Sequence, residues 1–209
     1  MVGCAWPGVA ADRRVIILAS ASATRAAILR NAGVEFEAMP AHIDESAIKH
    51  AGAAAGEAPG AVAQTLARLK AQRIAARWPD ALVIGADQIL SVGDVWLDKP
   101  ESVTEAADHL RRLRGQTHTL HTAVCCLRDR QMIWQHIAAP TLTMRAVPDD
   151  FIADYLAAEG DDCLSSVGAY RLEGRGIQLF ERIDGDYFSI LGLPILPLLG
   201  FLRQHGTLR

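Results

Sequence analysis

The stretch VIILASASATR, residues 15–25, decides the fold class. Residues 15–19 form a short apolar run rich in β-branched side chains, which predicts a buried strand. A small polar loop follows at 20–24. Residues 25–32 then have helical spacing, and Gly33 suits the C-terminal end of a helix. A strand, a polar loop and a helix in this order indicate a chain in which strands and helices mix.

The polar loop carries groups that suit a phosphate. Ser20, Ser22 and Thr24 offer hydroxyl donors, and Arg25 offers a forked cation. The N-terminus of the following helix adds backbone N–H donors and the positive end of its dipole. The alternative is an ordinary helix cap beside a surface arginine, because Ser and Thr are preferred at that position in any helix.

Similar patterns predict the remaining elements. Strands are expected at 35–39 and 81–85, as a hairpin at 89–96, as two strands within 117–127 and 133–145, and with tight turns in 168–192. Helices are expected at 61–77, 104–113 and 148–158, a loop or weak helix at 51–60, and a loop at 160–166. The prediction is an α/β or α+β fold.

Acidic side chains form the second candidate for chemistry. Asp87 directly follows the predicted strand 81–85, and ligands of α/β proteins gather beyond the carboxyl ends of strands. A carboxylate there can bind Mg²⁺ or accept a proton from water, and Asp44 or Glu45 could share the same cation. The alternatives are a turn-forming aspartate at 87 and an acidic loop or first helical turn at 44–45.

Three scattered cations are further candidates. Lys70 lies on a predicted helix, Lys99 precedes Pro100, and Arg175 lies between two glycines. A residue before proline is restricted to extended conformations, so the Lys99 segment could hold an ammonium group in place. Each cation taken alone is more simply explained as solvated surface.

Composition narrows the class of protein. The chain has 209 residues, of which 22% are charged, and a net charge of −3 without a basic stripe, which argues against a general nucleic-acid binder. No apolar stretch reaches ~18 residues, so no membrane span is expected. Residues 1–13 are interpreted as a leader segment without signal-peptide character, and 14–209 as a single domain.

The cysteines predict free thiols. There are four of them, with no CxxC pair, and adjacent Cys125 and Cys126 would face opposite sides of a strand. Free thiols are typical of a reducing compartment, so we expect a cytoplasmic protein.

The segments together resemble the Maf family of nucleotide pyrophosphatases over nearly the whole chain, from about Val15 to Leu202. The motifs that carry the resemblance stand in order along the sequence. They are Leu18-Ala-Ser-Ala-Ser22 with Arg25, Asp44-Glu45, Ala67-Arg-Leu-Lys70, Val83-Ile-Gly-Ala-Asp87, Asp98-Lys99-Pro100, Leu113-Arg-Gly115 with His118, and Gly168 to Pro194 with its glycines and aromatics. One such motif would be weak, but several in order are specific.

The resemblance implies an elongated α/β fold, with a mixed sheet, flanking helices and two lobes around a central cleft. It implies hydrolysis of nucleoside triphosphates to a monophosphate and pyrophosphate, with Mg²⁺ or another divalent cation such as Mn²⁺. Asp87 would be the catalytic base, and Glu45 would support the metal or water beside it. Phosphate would be held by Ser20, Arg25, Lys70 and Lys99. A homodimer is compatible with this interpretation.

Four departures from the commonest family pattern concern substrate choice. Thr24 stands in place of an arginine, Gln88 in place of a threonine, Glu173 in place of a glutamine, and Ser165-Ser166 in place of aspartate-lysine. Gln88 and Glu173 resemble the residues of the branch that acts on 7-methyl-GTP, although that branch has tryptophan where this chain has Thr24. Glu173 would accept hydrogen bonds from guanine, and Gln88 would add a two-way amide contact.

Other functions stay open at this point. A pyrophosphatase that prefers dTTP or UTP is one alternative. A second is a nucleotide-binding regulator of cell division without turnover, which the missing cations favour. A phosphatase that removes single phosphates is a third.

Overall fold

The computed structural model describes residues 15–208. The predicted leader segment at 1–13, and Cys4 within it, lie outside the described residues.

A mixed eight-stranded sheet forms the centre of the fold. Its strands are β1 (Ile16–Leu18), β2 (Glu37–Ala38), β3 (Leu82–Val92), β4 (Val95–Leu97), β5 (Thr117–Arg128), β6 (Gln131–Ala138), β7 (Thr141–Met144) and β8 (Phe180–Asp184). The order across the sheet is β2-β1-β3-β5-β7-β8, with β4 paired to β3 and β6 paired to β5. Only the pairs β1–β2 and β1–β3 are parallel. The sheet is therefore mixed and open, as predicted for the fold class.

Seven α-helices flank the sheet within residues 15–208. They are α1 (Ala23–Asn31), α2 (Glu45–Ala54), α3 (Pro59–Ala75), α4 (Val103–Leu113), α5 (Asp149–Glu159), α6 (Tyr187–Ile190) and α7 (Ile195–Gln204). Three short 3₁₀ helices lie at Gly160–Ser165, Val167–Ala169 and Arg175–Leu179. In this described part of the chain, no helix combines the length and apolar character needed to cross a membrane.

The hydrophobic core divides between two regions of the sheet. In the first region, alternate residues of β1, β3 and β5 face opposite sides, so that Leu18 packs with α1 and α7 while Ile17 packs with α3. Cys126 and Cys125 follow the same alternation, which confirms their predicted opposite facing. In the second region, the other ends of β3 and β5 pack with α4 and α5. β3 and β5 run through both regions and join them.

The predicted end of the third strand was wrong. The strand continues through Asp87 to Val92, because β5 pairs with it along residues 83–91 and keeps its backbone hydrogen-bonded. The parallel pairing with β1 nevertheless stops at Leu18 opposite Ile84. Asp87 therefore lies inside a strand, just beyond the carboxyl end of β1.

Two other segments differ from the prediction. The expected two strands within 117–127 and 133–145 are three, because Pro140 has no N–H for a sheet and separates β6 from β7. The region 168–192, expected to form several strands, contains only β8, together with 3₁₀ turns and α6. Its glycines favour such turns, and Gly168 has a φ of 74°.

Helix α2 was also missed as a continuous element. The chain was expected to be a loop or weak helix at 51–60 and a loop at 160–166. Instead α2 runs from Glu45 to Ala54, α3 begins at Pro59, and a 3₁₀ helix occupies Gly160–Ser165. Alanine-rich sequence is a good helix former, which explains why α2 continues into this stretch.

Candidate active site

A cavity of about 450 Å³ lies where the two regions of the core meet. Its walls come from segments far apart in sequence, from the β1–α1 loop to the turn after α6. All nine residues selected from the sequence line it: Ser20, Thr24, Arg25, Glu45, Lys70, Asp87, Gln88, Lys99 and Glu173. Arg175, the remaining cation singled out, is not among the lining residues. The fold therefore brings the candidate groups to one place, within the size range of small-molecule sites.

The loop after β1 combines a helix cap with a cavity wall. Ser22 caps α1 by accepting a hydrogen bond from the backbone N–H of Arg25, at 3.3 Å. The Arg25 side chain does not point to open solvent, because its Nε donates to the carbonyl oxygen of Gly192 at 2.8 Å. Gly192 has a φ of 98°, and a Cβ there would lie 3.3 Å from Arg25 Nε. Ser22 is therefore an ordinary helix cap, whereas Arg25 lines the cavity instead of lying on the open surface, and its phosphate-binding role stays a prediction.

A buried ion-pair network lies at the centre of the cavity. Lys70 Nζ is 2.5 Å from Asp87 Oδ1 and 2.9 Å from Glu45 Oε1. Asp87 is 3% exposed and Lys70 is 7% exposed, whereas the Glu45 side chain is partly open to solvent. Lys70, expected to hold phosphate, therefore bridges the two carboxylates.

The packing of α3 on β3 sets this geometry. Gly85 lies two residues before Asp87, and a Cβ on it would be 2.1 Å from the backbone oxygen of Ala67. Only glycine permits this approach, because no real Cβ fits so close to a backbone atom. Lys70 is one helical turn beyond Ala67, so the close contact brings its ammonium group to Asp87.

Burial controls the protonation of Asp87. Loss of water raises the pKa of this carboxyl above its ordinary value, while Lys70 and Arg25 act in the opposite direction. The second oxygen, Oδ2, is buried and has no hydrogen-bond partner within residues 15–208. An unpaired buried carboxylate oxygen is costly without a ligand or water, which makes Asp87 a candidate functional group.

The two acidic residues at the start of α2 have different roles. Asp44 caps the helix, accepting from the backbone N–H of Ala47 at 3.0 Å, and Glu45 alone joins Lys70 and Asp87. One turn later Lys49 also lines the cavity, where its ammonium group pairs with Asp98. Sequence reasoning missed Lys49 and Asp98. The signal was the i, i+4 spacing of Glu45 and Lys49, which matters only once a helix starts at 45.

Three hydrogen-bond acceptors surround the side-chain amide nitrogen of Gln88. Its amide nitrogen lies 2.7 Å from Thr122 Oγ1 and 3.1 Å from the carbonyl oxygens of both Ser189 and Ile190. Carbonyl oxygens only accept, so the group facing them must be the NH₂. The amide hydrogens of Gln88 are therefore engaged within the protein, and the expected two-way contact with a ligand stays a prediction.

Glu173 is positioned by Arg171. The Arg171 guanidinium lies 3.5 Å from Glu173 Oε1, 3.5 Å from Glu159 Oε2 and 2.5 Å from Asp162 Oδ2. These three carboxylates raise the pKa of Arg171 against the opposing effect of burial. The Glu173 side chain is 30% exposed where it lines the cavity. Glu173 is thus a hydrogen-bond acceptor among the residues that line the cavity, and the cation of Arg171 lies beside it.

The charges of the cavity balance. Four cations line it, namely Arg25, Lys49, Lys70 and Lys99, together with four carboxylates, namely Glu45, Asp87, Asp98 and Glu173. Partial loss of water lowers the pKa of Lys99, and the nearby charge of Arg25 lowers it further. A highly charged anion would therefore need positive charge beyond what the protein supplies.

The described part of the chain is thus an open mixed α/β sheet whose central cavity brings a buried carboxylate together with several cations, an arrangement typical of ligand-binding and catalytic sites. The sequence model of the family described as Maf-like protein matches residues 15–205, and the chain belongs to this family.

Curated relatives match almost over their full length. A 7-methyl-GTP pyrophosphatase of Rhizobium etli is 52% identical over 193 residues, which cover 92% of this chain and 97% of the relative. A nucleoside triphosphate pyrophosphatase of Granulibacter bethesdensis is 50% identical over 193 residues, covering 92% and 98%. A 7-methyl-GTP pyrophosphatase of Rhizobium meliloti is 50% identical over 194 residues, covering 93% and 98%.

Proposed function

We propose that this protein is a nucleoside triphosphate pyrophosphatase, which releases a nucleoside monophosphate and pyrophosphate. The observation that carries the proposal is the buried Asp87, set with Lys70, Glu45 and Arg25 in one cavity. The names of relatives at about half identity over nearly the whole chain agree with it.

The chain's own residues suggest how the reaction proceeds. Lys70 orients Asp87 through Oδ1 and leaves Oδ2, which has no hydrogen-bond partner within residues 15–208, to act on a water molecule. Asp87 accepts a proton from this water as its oxygen bonds to the α-phosphorus. The bond from that phosphorus to the bridging oxygen breaks, and its electron pair leaves with pyrophosphate. Arg25 and Lys99 offset the charge that develops on phosphate oxygens.

A divalent cation, Mg²⁺ or Mn²⁺, fits the donor set. Within the described residues no three His, Cys, Asp or Glu side chains converge on a metal position, so phosphate oxygens would complete the coordination. Glu45 and Asp87 are the carboxylates that would hold the ion. When bound, it would polarise the α-phosphate and stabilise charge on the departing pyrophosphate. The balanced charges of the cavity support a role for such a cation, because a nucleoside triphosphate is itself strongly anionic.

The two acceptor groups of Gln88 and Glu173 favour guanine as the base of the substrate. Gln88 presents its amide oxygen and Glu173 its carboxylate, so both groups accept hydrogen bonds. Guanine has N1–H and an amino group as adjacent donors, and the positive charge of 7-methylguanine would favour Glu173 further. We therefore propose GTP-like nucleotides, 7-methyl-GTP among them, as preferred substrates, in line with the names of two of the relatives.

A panel of triphosphates with product identification tests both proposals. The wild-type protein with Mg²⁺ should release pyrophosphate, with the highest kcat/KM for 7-methyl-GTP or GTP. Faster turnover of dTTP or UTP would reject the base assignment. Orthophosphate as the first product would indicate a phosphatase, and tight binding without any product would indicate a regulator.

We also propose that the protein works in a reducing compartment. Cys125, Cys126 and Cys163 are buried free thiols, and burial raises the pKa of each. Free thiols are typical of proteins in reducing environments such as the cytoplasm.

A further inference from the structure

The lysines of this chain have an uneven distribution. The sequence contains three, Lys49, Lys70 and Lys99, and all three line the one cavity. Arginine supplies the remaining basic side chains of the chain. A lysine ammonium is a compact charge on a flexible stem that binds phosphate readily, so its confinement to this cavity points to a common ligand.

These lysines differ in the ion pairs that they already form. Lys70 is occupied by Asp87 and Glu45, two carboxylates already placed in the reaction. Lys49 is paired with Asp98, whose side chain is 54% exposed, while Lys49 itself is only 15% exposed. Ion pairs with a solvent-exposed partner are weak, so Lys49 can exchange Asp98 for a more highly charged group at little cost.

The position of Lys49 also suits a phosphate. It lies one helical turn after Glu45 on α2, on the same face of the helix. The pKa of Lys99 is lowered mainly by burial and then by the charge of Arg25, with smaller contributions from Lys70 and Lys49. Lys49 and Lys99 both line the cavity, so an anion bound there would offset the charges of both.

We propose that Lys49 is a further phosphate-binding residue, which leaves Asp98 when the phosphate chain of the substrate enters the cavity. The inference rests on the proposed function for the identity of the substrate. It adds a binding role for α2 that Glu45 alone does not supply. Asp98 is then a competitor of the substrate for Lys49.

Binding of inorganic pyrophosphate, measured by calorimetry with Mg²⁺ present, tests this role without any turnover. Lys49→Met should raise the Kd about tenfold, the usual loss for a charge-assisted hydrogen bond. Lys49→Arg, which keeps the charge, should stay within about threefold of the wild type. Asp98→Asn should lower the Kd about twofold, since the competitor is removed. Arg73→Met, on an exposed position of α3 outside the cavity lining, is the matched control and should leave the Kd unchanged.

Opposite shifts in the Lys49→Met and Asp98→Asn variants separate binding from a structural role. If the ion pair only fastened α2 to the segment at Asp98, both substitutions would weaken binding together, and the inference would be overturned. A Kd unchanged by Lys49→Met, or no pyrophosphate binding by the wild type, would also overturn it. Failure of the triphosphate panel with these shifts intact would reject the proposed function alone.

Discussion

At the scale of single residues, Asp87 is a carboxylate whose two oxygens have different surroundings. Oδ1 is bound by Lys70 at 2.5 Å, and Oδ2 is buried without a partner within residues 15–208. One oxygen is therefore used to orient the group, and the other keeps its capacity to accept a proton. This asymmetry is what a positioned general base needs.

Replacing Asp87 by asparagine should abolish most turnover. The Asp87→Asn side chain keeps its size but cannot accept a proton, so kcat should fall by about 10²–10⁴ while circular dichroism and the unfolding midpoint stay near those of the wild type. Asp94→Asn, in the exposed turn between β3 and β4, is the control and should retain full activity. Near-normal turnover in Asp87→Asn would remove this residue from the mechanism.

The pH dependence of the rate should report the environment of Asp87. Burial raises its pKa, so kcat/KM should fall as the pH decreases through a value above that of an ordinary aspartate. Lys70 lowers the pKa of Asp87, and Lys70→Met should therefore move the acidic limb of the profile to higher pH. An acidic limb that does not move in Lys70→Met would show that a different group limits the rate.

At the scale of elements, the contact between α3 and β3 determines the site. Both elements are long and apolar on their facing sides, with Ala67 and Ala71 of α3 closing over Gly85. The absence of a side chain at Gly85 lets the helix approach the strand. The approach in turn brings Lys70, from the helix, to Asp87, from the strand.

Gly85→Ala should push this helix away from the strand. The added methyl group would overlap the backbone oxygen of Ala67, so the free energy of unfolding should fall by about 1–3 kcal/mol and kcat should drop with it. Gly200→Ala is the matched control, because a Cβ there meets nothing within 4 Å on helix α7. Urea unfolding and steady-state rates of both variants decide the matter. Equal stability of the two variants would contradict the close contact.

At the scale of the whole molecule, the two regions of the core are joined by β3 and β5 and enclose the cavity between them. The second region contains a buried polar pair, in which His118 Nε2 lies 2.8 Å from the hydroxyl oxygen of Tyr170. His118 is 1% exposed, and burial lowers its pKa to about 4. The folded protein therefore keeps this imidazole neutral where the unfolded chain would protonate it.

This pair should make stability depend on pH. The folded pKa of His118 is below the unfolded value of 6.5, so the unfolded state binds the proton first and stability falls as the pH drops from about 6.5 toward 4. The loss between pH 7.5 and 5 should be about 2 kcal/mol from this residue. His118→Phe should be less stable at pH 7.5, because Tyr170 loses its partner, but should show a smaller loss on acidification. Urea unfolding at pH 7.5 and 5 measures the loss of unfolding free energy in each protein. An equal loss in His118→Phe and in the wild type would contradict the prediction.

The sequence by itself determined the local elements and the residue types of the site. A run of β-branched residues predicted β1, helical spacing predicted α1, α3, α4 and α5, and the order of motifs identified the family. These features depend on neighbours along the chain, so the pattern of side chains is enough to predict them. The same local view ended the third strand at Gly85, because Ala-Asp-Gln is typical of a turn when its pairing partner is unknown.

Only the tertiary structure decided which groups meet and what each is free to do. It placed Lys70 between Asp87 and Glu45, turned the amide donors of Gln88 toward Ser189 and Ile190, and brought Lys49 into the cavity through α2, whose first turn at 44–45 the sequence had offered only as an alternative. Distances between segments that lie far apart along the chain depend on how helices and strands pack. Packing depends on contacts such as that of Gly85 with Ala67, for which the local sequence contains no signal.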